Sequence, residues 1–362
     1  MRWTLAAYLD AAKASLQPAD HANFAEATGS TVAQLLELVA AAELQQPGPL
    51  LRNLTSSVKL MLHPLNAYGL HPFRSLIAER LNDRLRATSP LAADVSVEPL
   101  VHRFRSDGVV MMPIALEPAS PQAHGKVKPQ AHGKMAGLRV RLDSRVQRLM
   151  RAISGWQQPW FSTDAGGVLL GQHTHFDGDI QHYAHVDTHS QCLKAFAFPP
   201  GTVVAHGPFH YVNGSHRNTV GELRWLFDRT RHLTGDEPIA SSLPMRHLAS
   251  NAQIGPSGLP FSDWSHGVHE SIRFEGVVPQ GPPPGRDWAY DFGRYSFPPP
   301  RPMLPTAGTT QATLVIADTA GIHFRGWAPA GTMRQQAGFH RVDVNRHSPW
   351  DCVRRLRSDR PC

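Results

Sequence analysis

The sequence predicts a mainly β body with flanking helices, preceded by an N-terminal helical extension over residues 1–48. Three observations carry this reading. From Gly167 onward, short apolar runs bounded by Gly and Pro read as strands: Val168–Leu170, His182–Val186, Cys192–Phe198 and Val203–Val204. Before residue 48, apolar side chains recur at helical spacing instead. Thr313–Ala317 and Gly338–Val344 are strongly apolar strands beyond a Pro- and Gly-rich insert at about 253–307, so the β elements bracket the insert and pair across it. Residues 49–362 then form one domain that carries the insert.

Taken in order, residues 3–16 form an Ala-rich helix with Leu5, Tyr8 and Leu16 on a common face. Ser30 or Thr31 caps a second helix, in which Val32, Leu35, Leu36 and Val39 recur, and Gln46-Pro47-Gly48-Pro49 ends it. A third helix covers about 73–87, with Phe73, Leu76, Ile77, Leu81 and Leu85 on one face. Val101 to Ile114 reads as the start of the strand system. Pro121-Gln-Ala-His-Gly-Lys126 is repeated as Pro129-Gln-Ala-His-Gly-Lys134, a duplicated loop with no large apolar residue to anchor it. From Leu138 to Ile153 the positions Val146, Leu149, Met150 and Ile153 favour a helix. Gly207 to His216 is a turn-rich loop, and Leu223 to Leu233 a helix with Trp225, Leu226 and Phe227. The insert's aromatic residues, Trp264, Trp288, Tyr290, Phe292, Tyr295 and Phe297, suit either a lid or ordinary packing.

The 362 residues suffice for one large domain or two ordinary ones, and 41% hydrophobic content supports a packed core. The formal net charge of +7 suits an acidic small-molecule substrate. The positive residues are scattered without aromatic interleaving, which argues against nucleic acid. Three cysteines, Cys192, Cys352 and Cys362, with no Cys-x-x-Cys exclude a disulfide framework and point to a reducing compartment. Nothing approaches the roughly 20 apolar residues of a membrane span, and the apolar run at the N-terminus is too short for a signal peptide. The expectation is a cytoplasmic protein.

His185 and Asp187 are two apart in Gln181-His-Tyr-Ala-His185-Val-Asp187-Thr188. On a strand, residues i and i+2 share a face, so an imidazole and a carboxylate would point into one pocket. That is two-thirds of the two-histidine, one-carboxylate set that holds non-haem Fe(II) and leaves positions open. His323 is the best candidate for the third ligand. His175-Phe-Asp177 competes as the pair, but Gly178-Asp179 after it looks like a turn, whereas a core strand follows the second pair. Of the neighbouring histidines, His173, His182, His189, His210 and His216, one or two suit a pocket lining. His216 suits a fold-stabilising role better than a ligand.

Four pieces occur in a familiar order: His185-Val-Asp187-Thr188; Lys194-Ala-Phe-Ala-Phe198; Gly207-Pro-Phe-His-Tyr-Val-Asn-Gly-Ser-His216-Arg217; and Ala317-Asp318-Thr319-Ala-Gly-Ile-His323-Phe-Arg-Gly326. Together they resemble the phytanoyl-CoA dioxygenase-like family of Fe(II)/2-oxoglutarate-dependent oxygenases. The third and fourth pieces are the specific ones. The resemblance covers about 100–345, apart from the insert.

The resemblance implies a double-stranded β-helix, a cupin-like jelly-roll of two facing sheets. It implies His185 and Asp187 as proximal metal ligands and His323 as the distal one. An arginine about ten residues beyond would hold the far carboxylate of 2-oxoglutarate. Arg334, eleven beyond His323, fits that place, and Arg325 is the runner-up. The implied cofactors are Fe(II), 2-oxoglutarate as cosubstrate and O2. The implied reaction is hydroxylation of a small organic substrate with release of succinate and CO2. Halogenating relatives carry a small apolar residue where Asp187 stands, so the aspartate argues for hydroxylation. Two other readings stay open: a jelly-roll binding protein without turnover, and a cupin-like metalloenzyme that does not use 2-oxoglutarate. No His-Glu-x-x-His, Gly-x-Ser-x-Gly, Walker loop or Gly-x-Gly-x-x-Gly occurs.

Overall fold

A computed structural model describes residues 5–45, 64–88, 96–118, 138–140, 144–154, 169–174, 186, 191, 193–198, 200–203, 207–234, 292–305, 309–326 and 333–342. Helices open the chain: α1 (Leu5–Ser15), α2 (Pro18–Thr28) and α3 (Val32–Gln45). After a 3-10 turn at Pro64–Tyr68 come α4 (Leu70–Thr88) and α5 (Glu98–Asp107). Strands β1 (Val109–Ile114), β2 (Leu116–Pro118) and β3 (Leu138–Val140) follow, then α6 (Ser144–Ser154). The second half holds β4 (Leu169–Thr174), β5 (Leu193–Phe198), β6 (Phe209–Tyr211), α7 (Val220–Thr234), β7 (Arg301–Pro302), β8 (Ala312–Asp318), β9 (His323–Arg325) and β10 (Met333–Val342).

The expected mainly β jelly-roll is corrected by this architecture. Among the described residues, the helices hold roughly twice as many residues as the strands. The strands form one five-stranded antiparallel sheet, β1-β8-β5-β10-β4, one three-stranded sheet, β7-β6-β9, and a two-stranded ribbon, β2-β3. The reason is visible in the packing. Helical segments read as flanks each bury an apolar face. Leu35, Val39, Phe24, Leu70, Phe73, Leu76 and Ile77 form a core of their own with Leu223 of α7. Phe24 and Phe73 meet edge to face at 6.2 Å.

The larger sheet lies between two partners. One face presents Val110, Met112, Leu193, Ala195, Leu314 and Ile316 to Val101 and Phe104 of α5 and to Val146, Leu149, Met150 and Ile153 of α6. The other presents Val109, Phe198, Val315 and Ala317 to Phe209 and Tyr211 of β6 and to Met303. Strand β8 is therefore buried at all seven positions, which explains the apolar run Leu314–Ala317 at its centre. Phe196 and Phe209 stack across the two sheets with centroids 4.8 Å apart.

Local corrections have local causes. Val101 to Asp107 is the end of a helix, not the start of the strand. Pro99 sits at its N-terminus, and Gly108 ends it in the left-handed region at φ 79°, where its N–H donates to Phe104 O at 2.7 Å. The strand begins only at Val109. Helix α2 was not expected, because Phe24 is its one large apolar residue. Pro18 starts it, Asp20 Oδ2 accepts from Gln17 N at 2.8 Å, and Gly29 closes it at φ 70°. The segment Leu138–Ile153 divides into β3 and then α6. Val203 lies outside the strands and is exposed. Of the expected strand His182–Val186, only Val186 is among the described residues, as are only 292–305 of the insert. The duplicated Pro-Gln-Ala-His-Gly-Lys loop lies outside them. No helix among the described residues is long and apolar enough to cross a membrane.

Candidate functional site

The two most specific sequence pieces meet in space. Strand β6 pairs with β9 in the register Phe209↔Arg325, His210↔Phe324 and Tyr211↔His323. The Gly-Ser-His loop and the Asp-Thr turn are then tied by backbone and side chain. Val212 N donates to Ile322 O at 3.0 Å. Ser215 Oγ donates to Val212 O and accepts from Ile322 N, both at 2.7 Å. Gly326 N donates to Pro208 O at 2.7 Å.

Asp318 organises the turn. Its Oδ1 accepts from Ala320 N at 3.1 Å, and its backbone oxygen accepts from Gly321 N at 3.0 Å. That oxygen also accepts the Tyr211 hydroxyl at 2.8 Å. Burial, with Asp318 and Glu222 nearby, holds the Tyr211 phenol well above its ordinary value, so it remains a donor. Gly321 is required by this packing: a Cβ there would strike the Tyr211 hydroxyl.

His323 follows the turn. It is 4% exposed, and Phe209 covers its ring at 5.3 Å. Its Nδ1 lies 2.8 Å from Gly321 O. The tautomer that makes this hydrogen bond carries its proton on Nδ1 and its lone pair on Nε2, the arrangement of a metal-ligating imidazole with an orienting carbonyl. Its neighbours Ile322 and Phe324 are buried in a separate cluster with Val212, Trp225, Leu226, Tyr295 and Phe297. Val186 belongs to that same cluster and is 1% exposed. His185 and Asp187, which flank Val186 in sequence, lie outside the described residues.

The carboxylate-anchor candidates fall on different sheets. Arg334 is on β10, opposite His173 of β4, next to a register shift before Gln336. Arg325 is on β9, opposite Phe209. His210 Nδ1 lies 3.0 Å from Pro208 O, and its ring stacks on Phe324 at 4.9 Å. His216 lies against Phe104 of α5, with ring centroids 6.1 Å apart. His175, Asp177, His182 and His189 are outside the described residues. Among the described residues no three His, Cys, Asp or Glu side chains come together as metal ligands.

A second feature escaped the sequence reading. A polar cavity of about 600 Å3 lies between α2 and α4 on one side and the 216–219 loop, the first turn of α7, Gln191 and Asp318 on the other. Asn218 N and Nδ2 both donate to Glu79 Oε2, at 3.0 and 2.9 Å. Burial pushes the Glu79 carboxyl up, against those two hydrogen bonds. Burial, and then Glu79, push the Glu222 carboxyl well above the usual carboxylate range. Thr219-x-x-Glu222 has the spacing of a helix capping box, which is the signal the sequence offered. Only half of it forms: Thr219 Oγ1 accepts from Glu222 N at 3.2 Å, while Thr219 N donates to Arg217 O at 2.7 Å.

The chain matches no protein-family model, no curated protein and no solved structure.

Proposed function

We propose that the chain is an Fe(II)- and 2-oxoglutarate-dependent dioxygenase that hydroxylates a small organic substrate. In this reading His185, Asp187 and His323 hold the metal, and Arg334 anchors the far carboxylate of 2-oxoglutarate, with Arg325 as the alternative anchor. The supporting observation is local. Val186, the residue between His185 and Asp187, is buried together with Ile322 and Phe324, the two neighbours of His323. Val186 and the two neighbours of His323 thereby share one apolar cluster. The reading rests on this juxtaposition and on the tautomer of His323, not on a mainly β fold.

Bound at such a site, iron and 2-oxoglutarate supply the activation of O2, with succinate and CO2 as by-products. The chain's own part is positional. The Gly321 carbonyl holds the His323 ring in one tautomer and orientation. Phe209 covers that ring and, stacked on Phe196, keeps water from one side of it. A guanidinium at Arg334 offers a planar fork to a carboxylate, which fixes the cosubstrate's orientation.

The test is anaerobic addition of Fe(II) and 2-oxoglutarate to the full chain, followed by air and a succinate assay. A weak visible charge-transfer band is expected that vanishes in His185→Ala and weakens in Arg334→Ala. Asp187→Ala should form no succinate above background. Full succinate production by that variant, or a folded wild-type chain with neither band nor succinate, overturns the proposal.

A further inference from the structure

The cavity between the helical core and the Gly-Ser-His loop contains three buried oxygens with no hydrogen-bond partner among the described residues. They are Gln191 Oε1, Asn218 Oδ1 and Glu222 Oε2. Their residues are 3%, 7% and 3% exposed, and all three line the cavity. The amide orientations are set by their other ends. Gln191 Nε2 donates to Asp318 Oδ2 at 3.2 Å, and Asn218 Nδ2 donates to Glu79 Oε2 and to Ser75 O at 3.1 Å. The two amide oxygens are therefore left over as acceptors, the Glu222 oxygen joins them when its carboxyl ionises, and buried polar atoms of this kind are seldom left unmet.

We propose that this cavity is a binding site for a small organic cation that carries several N–H donors, a primary ammonium or guanidinium compound.

The chemistry selects that class. Ammonium and guanidinium groups are donors only, which is what unmet acceptors require. An anion without N–H or O–H donors has nothing to offer these oxygens, and it would meet the two glutamates, once ionised, as like charges. Of the cations on the cavity wall, Arg80 is already committed: Asp20 holds it at 2.6 and 2.8 Å and Asp83 at 3.1 Å. A divalent ion is the poorer fit, because no three of the carboxylates converge as ligands among the described residues. The Glu222 side chain is also diverted for the purpose. It sits where a capping box would return it to Thr219 N, yet that N–H donates to Arg217 O. This site does not depend on the proposed oxygenase activity, and its test reads binding alone.

Both glutamates retain their protons above the usual carboxylate range, so a bound cation would expel protons and bind more tightly as pH rises. The other charged groups on the cavity wall are Arg80 and Asp83 of α4, Arg105 of α5, and Arg217 and Asp318. His216 also faces it, and loss of a proton there would act in the same direction. Glu222→Gln separates the two, since it keeps His216 and the shape of the side chain.

The experiment is calorimetric titration of the full chain with methylguanidinium between pH 6 and 8.5, with tetramethylammonium and acetate as controls. One-site binding of methylguanidinium is expected, tightening by up to about tenfold per pH unit while one proton is released. Tetramethylammonium, a cation without N–H donors, and acetate should not bind. Glu222→Gln should weaken methylguanidinium binding by at least about tenfold and flatten its pH dependence. Glu79→Gln serves the same purpose if the first variant does not fold. The proposal is overturned if the folded wild-type chain does not bind methylguanidinium, if tetramethylammonium or acetate binds as well, or if the folded glutamine variants bind it unchanged.

Discussion

The Asp318–His323 turn leaves little freedom to single atoms. Gly321 has no room for a methyl group beside the Tyr211 hydroxyl. Gly321→Ala should therefore destabilise the chain by about 1–3 kcal/mol in urea unfolding, the usual cost of overpacking. Tyr211→Phe removes the colliding oxygen, so the double variant should recover part of that loss. Simple additivity of the two changes would mean the contact is not what excludes a side chain here. Glu222 gives a second test at this scale. Its folded form keeps a proton that the unfolded chain, titrating near 4.5, gives up. The stability linked to that proton is present below about pH 4.5 and is lost as pH rises through the raised folded value. Glu222→Gln removes the loss, so its melting temperature relative to wild type should be higher at pH 8 than at pH 5. An advantage independent of pH would contradict the buried-carboxyl account.

At the scale of elements, Asp20 does two things for α2. It accepts from Gln17 N at the helix start and holds Arg80 of α4 through both oxygens. Asp20 is 1% exposed and Arg80 27%. Asp20→Ala should cost about 2–3 kcal/mol, below the 3–5 kcal/mol of a fully buried pair because Arg80 keeps some water. Denaturant melts of the variant would show it as a lower midpoint. Elements were legible in the sequence where periodicity was long or unbroken. Phe73, Leu76 and Ile77 marked α4, Trp225 to Phe227 marked α7, and Thr313 to Ala317 marked β8. Helix α2 was not legible because only Phe24 anchors it, its signals being end residues rather than a stripe. Strand β6 was hidden in a turn-rich stretch because Phe209, His210 and Tyr211 are too few to show alternation. The cavity was missed for a different reason: Glu79, Asn218 and Glu222 are close only through the packing of α4 on the loop before α7.

For the whole molecule, the correction concerns proportion. The four motif pieces drew attention to the β elements, and the helices were read as flanks. In the structure α1, α2 and α3 bury Leu5, Leu9, Phe24, Leu35 and Val39 against α4 and Leu223. A fully buried side chain of this size contributes about 1.5–3 kcal/mol, so the helical cluster is a large share of the stability. Deleting residues 1–45 should abolish the cooperative calorimetric transition, because Phe73, Leu76 and Ile77 would lose their cover. A truncated chain that melts as sharply as the whole would make the helices an appendage after all. The Gly-Ser-His loop and the Asp-Thr turn were each singled out by their residues, but neither their pairing nor the Ser215 bridge between Val212 and Ile322 was legible.

The anchoring of Ile322 has a consequence for how the chain can vary in length. Ser215 grips the Ile322 N–H, and Tyr211↔His323 pairing begins one residue later. Along β9, odd and even positions face opposite ways, so His323 owes its side of the sheet to parity alone. Inserting or deleting one residue between Gly321 and His323 would exchange the imidazole with the phenyl ring of Phe324. Point substitutions can tune this segment, but its residue count is fixed as firmly as the spacing of teeth on a gear.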